Sequence, residues 1–275
     1  MISFPNCKIN LGLRISGKRD DGFHDLETVF YPLPWKDGLE IIQSQIFCFT
    51  SSGASIPVSA QENICTKAYE LLKKDFDLPP VYMHLHKVIP TGAGLGGGSA
   101  DGAFTLLLLN KKFKIGLSEA QLIDYALQLG SDCPIFIINK PCFASSRGEK
   151  LIPVELDLSS YKIVLVHPAL HIPTSWAFKQ LQLKPKGISI KEAIHKPVIE
   201  WNDIIVNDFE EPVFQHYPEI KFLKEVLVST GALYASLTGS GSAVFGIFEK
   251  DAEPDLKFPE HYQYKVFNEL RPIKH

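Results

Sequence analysis

The stretch PTGAGLGGGSA, residues 90–100, holds glycines at positions 92, 94, 96, 97 and 98. It lies between a predicted strand, Val81 to Val88, and the apolar run Ala103 to Leu109, which is typical of a buried helix. Because glycine readily takes positive φ, such a loop can aim several backbone N–H groups into one concave space. These groups and the positive end of the following helix suit phosphate oxygens, and the Ser99 hydroxyl could face a phosphate or a magnesium ion. The sequence therefore predicts a phosphate-binding loop.

Two common nucleotide-binding loops do not match this stretch. The P-loop pattern G-x-x-x-x-G-K-[ST] is absent from the chain, so no P-loop lysine is available for the β- and γ-phosphates. A dinucleotide-binding fold has an acidic residue about 20 positions after its glycine loop. Leu109, Asn110 and Lys111 occupy that region here. A P-loop enzyme and an NAD enzyme are both disfavoured.

The rest of the sequence predicts strands and helices in no regular order. Apolar and polar residues alternate from Lys8 to Ile15, which predicts a strand with Lys8 and Asn10 on one face. Taken alone, such alternation favours a solvated polar face. A capping box predicts a helix from Ser118 to Gly130. Further strands are predicted at residues 39–42, 46–50, 162–167, 243–248 and 262–267, and further helices at 62–76 and 219–229. This order favours two α+β domains.

The composition is that of an ordinary globular chain. The 275 residues include 45% hydrophobic residues and carry a net charge of -3, which argues against a surface that binds a polyanion such as nucleic acid. The five cysteines include no C-x-x-C pair, so neither a disulfide framework nor a zinc ribbon is expected, and a reducing cytoplasm fits best. We expect no membrane insertion, because no signal peptide and no apolar run of about 18 residues is present.

Three further segments accompany the glycine loop. They are CKINLGLRISGKRDDGFHDLETVF at residues 7–30, LGSDCPIF at 129–136 and LTGSGSAVFGIF at 237–248. Together with the loop, they resemble the motifs of the GHMP kinases, and the resemblance extends over nearly the whole chain. It implies a two-domain α+β GHMP kinase fold, with a ribosomal-protein-S5-like domain at residues 1–155 and a ferredoxin-like α+β domain at residues 156–275. It also implies that the glycine turn near residue 240 folds beside the glycine loop.

The resemblance implies an enzyme that uses ATP and Mg²⁺ to phosphorylate a small-molecule alcohol. The D-G-F-H element at residues 21–24 is similar to that of the branch that phosphorylates the 2-hydroxyl of 4-diphosphocytidyl-2-C-methyl-D-erythritol in the non-mevalonate isoprenoid route. The implied catalytic residues are Lys8 and Asp132, with Asp132 as proton acceptor and Lys8 as the cation beside the developing alkoxide. Outside this pattern, Asp132 would be the N-cap of a helix that begins at Pro134.

The resemblance also assigns binding residues. The nucleotide-binding residues are Pro90, Thr91, Gly92, Ala93, Gly94, Leu95, Gly96, Gly97, Gly98, Ser99, Ala100, Asn63 and Lys87. The substrate-binding residues are Asn10, Phe23, His24, Thr174 and Phe178. Phe23 and Phe178 would stack on the pyrimidine ring while His24 pairs with its edge. No side chain is assigned to a metal ion.

Other interpretations stay open at several positions. Both phenylalanines would otherwise belong to the core, Asn63 to a helix cap and Lys87 to an exposed strand face. His84 and His86 share a strand face, but without a third ligand they favour a structural role over a metal site. The D-G-F-H element argues against a GHMP kinase that acts on mevalonate or homoserine. The presence of both catalytic residues argues against a catalytically silent ligand sensor. We expect a monomer or weak homodimer without a nucleic-acid or membrane partner.

Overall fold

A computed structural model describes residues 1–182 and 187–270 of the chain. The strands are β1 (Ile2–Ser3), β2 (Asn6–Lys18), β3 (His24–Lys36), β4 (Gly38–Gln43), β5 (Cys48–Gly53), β6 (Val81–Lys87), β7 (Cys142–Ser145), β8 (Lys150–Pro153), β9 (Tyr161–His167), β10 (Tyr234–Leu237), β11 (Val244–Glu249) and β12 (Gln263–Phe267). The helices are α1 (Ile64–Asp75), α2 (Gly97–Lys112), α3 (Glu119–Leu129), α4 (Pro134–Ile138), α5 (Thr174–Gln180), α6 (Ile190–Ala193), a 3₁₀ helix (Val198–Glu200), α7 (Trp201–Ile204), α8 (Glu210–His216) and α9 (Pro218–Ser229). Within this part of the chain, no helix is long and apolar enough to cross a membrane.

The strands form three four-stranded sheets. Two belong to the N-terminal half, in the orders β1-β4-β6-β5 and β2-β3-β7-β8, and the third, β10-β11-β9-β12, belongs to the C-terminal half. β5 and β6 pair in parallel, and α1 provides the crossover that a parallel pair requires. The other strand pairs of these sheets are antiparallel. The predicted α+β class is confirmed.

The longest pairing joins β2 to β3, each a strand of 13 residues. The alternation predicts the centre of β2 but not β3, in which Pro32 and Pro34 replace residues typical of strands. The polar face of β2 is not solvated, because Lys8 and Asn10 are each only 2% exposed. The expectation of a solvated face is wrong because the glycine loop and the turn near residue 240 cover that side of the strand.

The glycine loop runs directly from β6 into α2. This helix begins at Gly97, earlier than the apolar run that predicts it. The sequence does not predict its first turn because that turn contains glycines, which have low helix propensity. The next helix, α3, has the predicted capping box, with the Ser118 hydroxyl accepting from the Gln121 N–H. Gly130 is its C-cap, as predicted.

The C-terminal half follows the β-α-β-β-α-β scheme of ferredoxin-like domains, except that residues 250–262, between β11 and β12, contain no helix. The predicted strands at 162–167, 243–248 and 262–267 correspond to β9, β11 and β12, and the predicted helix at 219–229 corresponds to α9. The short helices α5 to α8 have too few turns to give a periodic signal, and the sequence does not predict them.

An apolar core joins the two halves. It contains Ile9 and Leu11 from β2 together with Leu165 from β9 and Phe245 from β11, all fully buried. The proposed boundary between residues 155 and 156 lies in segment 154–160, which contains no helix or strand. Because the core crosses this segment, the division at 155 and 156 stays a prediction.

The turn near residue 240 packs on the glycine loop, as the resemblance implies. The Ala243 N–H donates to the Ala93 carbonyl at 3.1 Å, and the Thr238 hydroxyl donates to the Gly94 carbonyl at 3.2 Å. Gly94 has φ +79°, and a Cβ there would lie 2.0 Å from the Thr238 carbonyl oxygen. Both the conformation and the close approach therefore require glycine at position 94.

We predict that Gly94→Ala lowers the free energy of unfolding by more than about 2 kcal/mol, because left-handed φ alone costs an L-residue about 1–2 kcal/mol. Equilibrium denaturation in urea measures this change. Gly98→Ala is the matched control, since its Cβ would meet no atom within 4 Å, and helix propensity predicts a gain of up to about 1 kcal/mol. Equal unfolding midpoints for the two variants would contradict the constraint at Gly94.

Candidate active site

A cleft lies where β2, the glycine loop, the start of α4 and residues 239–241 meet. Its cavity of about 330 Å³ is lined by both predicted catalytic residues, Lys8 and Asp132. Gly92, Gly94 and Gly96 of the glycine loop form part of the same wall. The structure thus brings the two predicted catalytic residues and the predicted phosphate loop together in one cavity.

Lys8 and Asp132 face each other across this cleft. The Lys8 Nζ lies 3.4 Å from Asp132 Oδ2, with the lysine side chain 3% exposed and the aspartate side chain 40% exposed. The ammonium also donates to the Gly94 carbonyl at 3.1 Å. Asp132 is not a helix cap, because Cys133 is the N-cap of α4 and no side chain caps that helix. The cation is held in place while the carboxylate stays open to a ligand.

Asn10 lines the cavity, but its amide is bonded to the protein. Its Oδ1 accepts from Lys8 Nζ at 2.6 Å, and its Nδ2 donates to the Thr28 hydroxyl at 3.0 Å. The Thr238 hydroxyl also donates to Oδ1, at 3.3 Å. Asn10 therefore positions the Lys8 ammonium, a contribution that the predicted substrate role did not include.

The glycine loop has the left-handed glycines and the uncapped helix start that are typical of a phosphate-binding loop. Gly92, Gly94 and Gly96 all have positive φ, as predicted. Gly96 is the N-cap of α2, which has no side-chain cap and no acidic residue in its first turn. Of the predicted loop residues, Pro90, Ala93, Leu95, Gly97 and Ala100 are buried, Gly94, Gly96 and Ser99 are half-buried, and Thr91, Gly92 and Gly98 are exposed. The start of α2 can therefore donate to an anion.

The structure contradicts the alternative that Lys87 lies on an exposed strand face. This lysine is 3% exposed and does not face the cleft, because its ammonium pairs with Asp37 Oδ2 at 2.5 Å and Asp101 Oδ2 at 2.8 Å. A Cβ at Gly97 would lie 3.0 Å from the Lys87 Nζ, so the ammonium is packed against the first turn of α2. Lys87 is therefore not an exposed strand lysine, and its assigned contact with the nucleotide stays a prediction. It supports the glycine loop from the protein interior.

Asn63 has the helix-cap role that is its alternative interpretation, and its assigned contact with the nucleotide stays a prediction. It is 4% exposed, and its Oδ1 accepts from the Cys65 N–H at 2.9 Å as the N-cap of α1.

His84 and His86 both hydrogen-bond to the Ser52 hydroxyl on the neighbouring strand. Residues 1–182 and 187–270 contain no group of His, Cys, Asp or Glu side chains that could hold a metal ion.

The buried cluster under the loop, Lys87 with Asp37 and Asp101, has two carboxylates for one ammonium. Asp37 Oδ1 accepts from the Val88 and Ile89 N–H groups at 2.6 and 2.8 Å, so this carboxylate is well satisfied. Asp101 Oδ1 has no hydrogen-bond partner. Burial raises the pKa of Asp101 to about 7, against the lowering effect of Lys87. Asp101 therefore holds a proton more readily than an ordinary aspartate does.

Four of the predicted substrate-binding residues, Phe23, His24, Thr174 and Phe178, line a second cavity of about 840 Å³ that adjoins the first. The His24 and Phe178 rings stack at a centroid distance of 5.0 Å and an interplanar angle of 30°. Phe23 is 50% exposed, so the alternative that it is a core residue is wrong. The Thr174 hydroxyl lies 3.3 Å from that of Ser240. Flat aromatic faces and hydroxyls thus border one cavity.

Comparison with known proteins agrees with this geometry. The GHMP kinases N terminal domain matches residues 63–140, and the GHMP kinases C terminal domain matches residues 190–258. A protein from Bacteroides fragilis (strain YCH46) named 4-diphosphocytidyl-2-C-methyl-D-erythritol kinase is 51% identical over 255 residues, or 91% of this chain and 93% of the relative.

The chain belongs to the GHMP kinases.

Solved structures support the same assignment. A crystal structure of 4-(cytidine 5'-diphospho)-2C-methyl-D-erythritol kinase superimposes with a TM-score of 0.76 at 30% identity, covering 90% of each chain. The Methanococcus jannaschii mevalonate kinase superimposes with a TM-score of 0.68 at 12% identity, covering 97% of this chain and 96% of that one, and so shares the fold. The two-domain GHMP kinase fold implied by the sequence is confirmed.

The sequence did not predict several lining residues of the candidate active site of this GHMP kinase, two of which are polar residues beside predicted ones. Arg147 lines both cavities, and Ser240 lines the smaller one beside Thr174. The sequence offers a signal for Ser240, because this residue lies between Gly239 and Gly241 in the segment LTGSGSAVFGIF. Arg147 lies in the polar turn SSRGEK, which has no motif or periodicity to single it out.

We predict that the buried cluster makes stability fall as pH rises from about 4 to 7. Between the ordinary aspartate pKa of 3.8, which holds in the unfolded chain, and the folded pKa of about 7, the folded protein keeps a proton on Asp101 that the unfolded chain has released. Asp101→Asn cannot titrate, so wild type should lose stability relative to this variant across that range. Urea unfolding at several pH values measures the difference, with Asp124→Asn on the exposed face of α3 as control. A difference that is constant with pH would contradict the prediction.

Proposed function

We propose that this GHMP kinase transfers the γ-phosphoryl group of ATP to the 2-hydroxyl of 4-diphosphocytidyl-2-C-methyl-D-erythritol, in the non-mevalonate route to isoprenoid precursors. The observation that carries the proposal is the junction of the two cavities, which share Phe23, Leu26, Arg147, Thr174 and Phe178. A substrate whose cytidine group stacks in the larger cavity can place its alcohol group in the smaller cavity, towards Lys8 and the glycine loop. Relatives about half identical to this chain bear the name of the same kinase.

Lys8 and Asp132 divide the chemistry of phosphoryl transfer. The substrate oxygen attacks the γ-phosphorus, the bond to the β-phosphate oxygen breaks, and ADP leaves. Asp132, the exposed carboxylate of the cleft, accepts the hydroxyl proton, while the enclosed Lys8 ammonium stabilises negative charge on that oxygen. Asn10 and the Gly94 carbonyl fix the ammonium, so its position does not depend on the substrate.

ATP is the phosphate donor of this kinase family, and the glycine loop fits its phosphates. The loop is concave, its three left-handed glycines open towards the cleft, and the uncapped start of α2 supplies N–H donors. Gly92, Gly94, Gly96 and the first turn of α2 would hold the phosphate groups.

We propose Mg²⁺ as the accompanying ion. Since the described residues offer no cluster of metal-binding side chains, phosphate oxygens would supply most of its ligands, as is common for this cation. Ser99, in the first turn of α2, would add a hydroxyl. When bound, the ion neutralises phosphate charge.

The pyrimidine ring of the substrate would pack on the aromatic residues of the larger cavity. Phe178 is held in a stack with His24 and edge-on against Phe209, at a centroid distance of 4.9 Å. Phe23 lies on the same cavity with one face covered by Arg147. The aromatic surface is therefore largely formed before substrate arrives, with Thr174 as a hydroxyl partner at the junction.

Three further proposals concern the domain boundary, the cellular location and the oligomeric state. We place the division between the two domains at residues 155 and 156, in the segment that joins β8 to β9. We also propose a cytoplasmic location, which is supported by five cysteines that are all free thiols. The proposed working form is a monomer or weak homodimer, because one chain supplies every residue of the cleft.

We predict that Asp132→Asn lowers kcat by about 100-fold or more, because the amide cannot accept the hydroxyl proton. ADP release under saturating ATP and substrate measures kcat, and calorimetric titration with a non-hydrolysable ATP analogue measures nucleotide affinity, which should change little. Asp251→Asn, an exposed aspartate beyond the active site, is the control. Activity near wild type in Asp132→Asn would exclude this residue as the proton acceptor.

The acceptor is tested by supplying one alcohol at a time. We expect ADP release with 4-diphosphocytidyl-2-C-methyl-D-erythritol and none above background with mevalonate or homoserine. Turnover with mevalonate or homoserine alone would overturn the proposed substrate. Binding of ATP without turnover of any of the three alcohols would instead favour a ligand sensor.

A further inference from the structure

Arg147 lies in the turn between β7 and β8, at the junction of the two cavities. Its backbone N–H donates to Glu149 Oε2 at 2.7 Å, which fixes the turn. The guanidinium carbon lies 4.7 Å from the centroid of the Phe23 ring. Among the cations described at the two cavities, Lys8 lines only the smaller one, whereas Arg147 lines both.

The terminal nitrogens of the Arg147 guanidinium remain open to a ligand, although Glu149 and Asp21 lie near its charge. Its closest carboxylate contact runs from Nε to Glu149 Oε1 at 3.8 Å, and the side chain is 31% exposed. Within residues 1–182 and 187–270, the terminal guanidinium nitrogens form no hydrogen bond. In the same part of the chain, the larger cavity is lined by Lys18, Arg147 and Lys179 without any carboxylate. The acidic and basic side chains that line this cavity are therefore all basic, on a chain whose net charge is -3.

The arrangement at Arg147 combines two kinds of recognition. A guanidinium that stacks on an aromatic face still presents N–H donors at its edge, and these donors match pairs of phosphate oxygens. Phe23, His24 and Phe178 line the same cavity with flat faces suited to a base. A ligand with a base and a diphosphate would satisfy both features, whereas an uncharged ligand would leave the terminal guanidinium nitrogens of Arg147 without a charged acceptor.

We propose that Arg147 is a specificity-determining residue that binds the diphosphate of the substrate while it stacks on Phe23. It thereby selects an alcohol linked to a nucleoside diphosphate over small alcohols of the kind that other GHMP kinases use. The inference rests on the proposed function, because that substrate carries a diphosphate next to its cytidine group. It adds a cation to the site beyond the pair Lys8 and Asp132.

The first test compares cytidine 5'-diphosphate with cytidine in calorimetric titrations of the full chain. We expect Arg147→Met to weaken binding of the diphosphate by about tenfold or more and binding of cytidine by less than about threefold, because a hydrogen bond to a charged group is lost. Lys150→Met, which removes an exposed cation from the adjacent strand β8, should change neither affinity. Equal losses for the two ligands in Arg147→Met would mean that the arginine only holds Phe23, and would overturn the proposal.

Arg147→Lys provides a second variant if the methionine variant does not fold. Lysine keeps the charge but not the planar fork, so the diphosphate should bind more weakly than to wild type while cytidine affinity stays unchanged. Unchanged affinity for both ligands would overturn the proposal. These titrations need no turnover. A wild-type chain that binds cytidine 5'-diphosphate through Arg147 but does not phosphorylate the proposed alcohol would refute the proposed function and leave the role of Arg147 standing.

Kinetics give an independent measurement on the holoenzyme with ATP. A residue that binds the diphosphate equally in ground and transition states raises KM for the alcohol and leaves kcat within about threefold. KM for ATP should not change in Arg147→Met. A fall in kcat with no change in the KM for the alcohol would contradict a binding role.

Discussion

The close approach of two backbone segments, the glycine loop and the turn near residue 240, is the constraint on which the active site depends. The segments are held together by backbone hydrogen bonds and by the Thr238 hydroxyl, which reaches both the Gly94 carbonyl and Asn10. The same carbonyl accepts from Lys8, so the loop, the Lys8 ammonium and the C-terminal half share one set of contacts. A side chain at position 94 would force these elements apart, and both the conformation of the glycine loop and the shape of the cleft would change.

Two buried lysines show how surroundings decide the function of one chemical group. Lys8 and Lys87 are both almost fully enclosed, and both contact the glycine loop or the helix that follows it. Lys87 has two carboxylate partners inside the protein, so its charge serves the structure. Lys8 has neutral partners except for Asp132, which is open to the cleft, and its charge therefore faces the cleft. The cost of burying each cation is offset differently.

The sequence was sufficient for the fold class, the glycine loop, the capping box of α3 and the pairing of Lys8 with Asp132, because each is encoded in local spacing or in a recognisable motif. It was not sufficient for the burial of Lys87, whose partner Asp37 lies 50 residues away. Arg147 was likewise missed, because a turn residue gains its role only when distant Phe23 folds against it. Strand β3 contains prolines that local propensity excludes from strands, and its pairing with β2 overrides that preference.

The fixed shape of the glycine loop has a consequence for the thermodynamics of nucleotide binding. Its left-handed glycines and its contacts with the turn near residue 240 are in place in the protein alone, so the entropy of ordering the loop is lost during folding and not at each catalytic cycle. Dipoles that are already oriented need not reorganise as charge moves from the γ-phosphate to the leaving oxygen. In the proposed function, the loop would therefore bind the phosphates of ATP and release those of ADP without refolding.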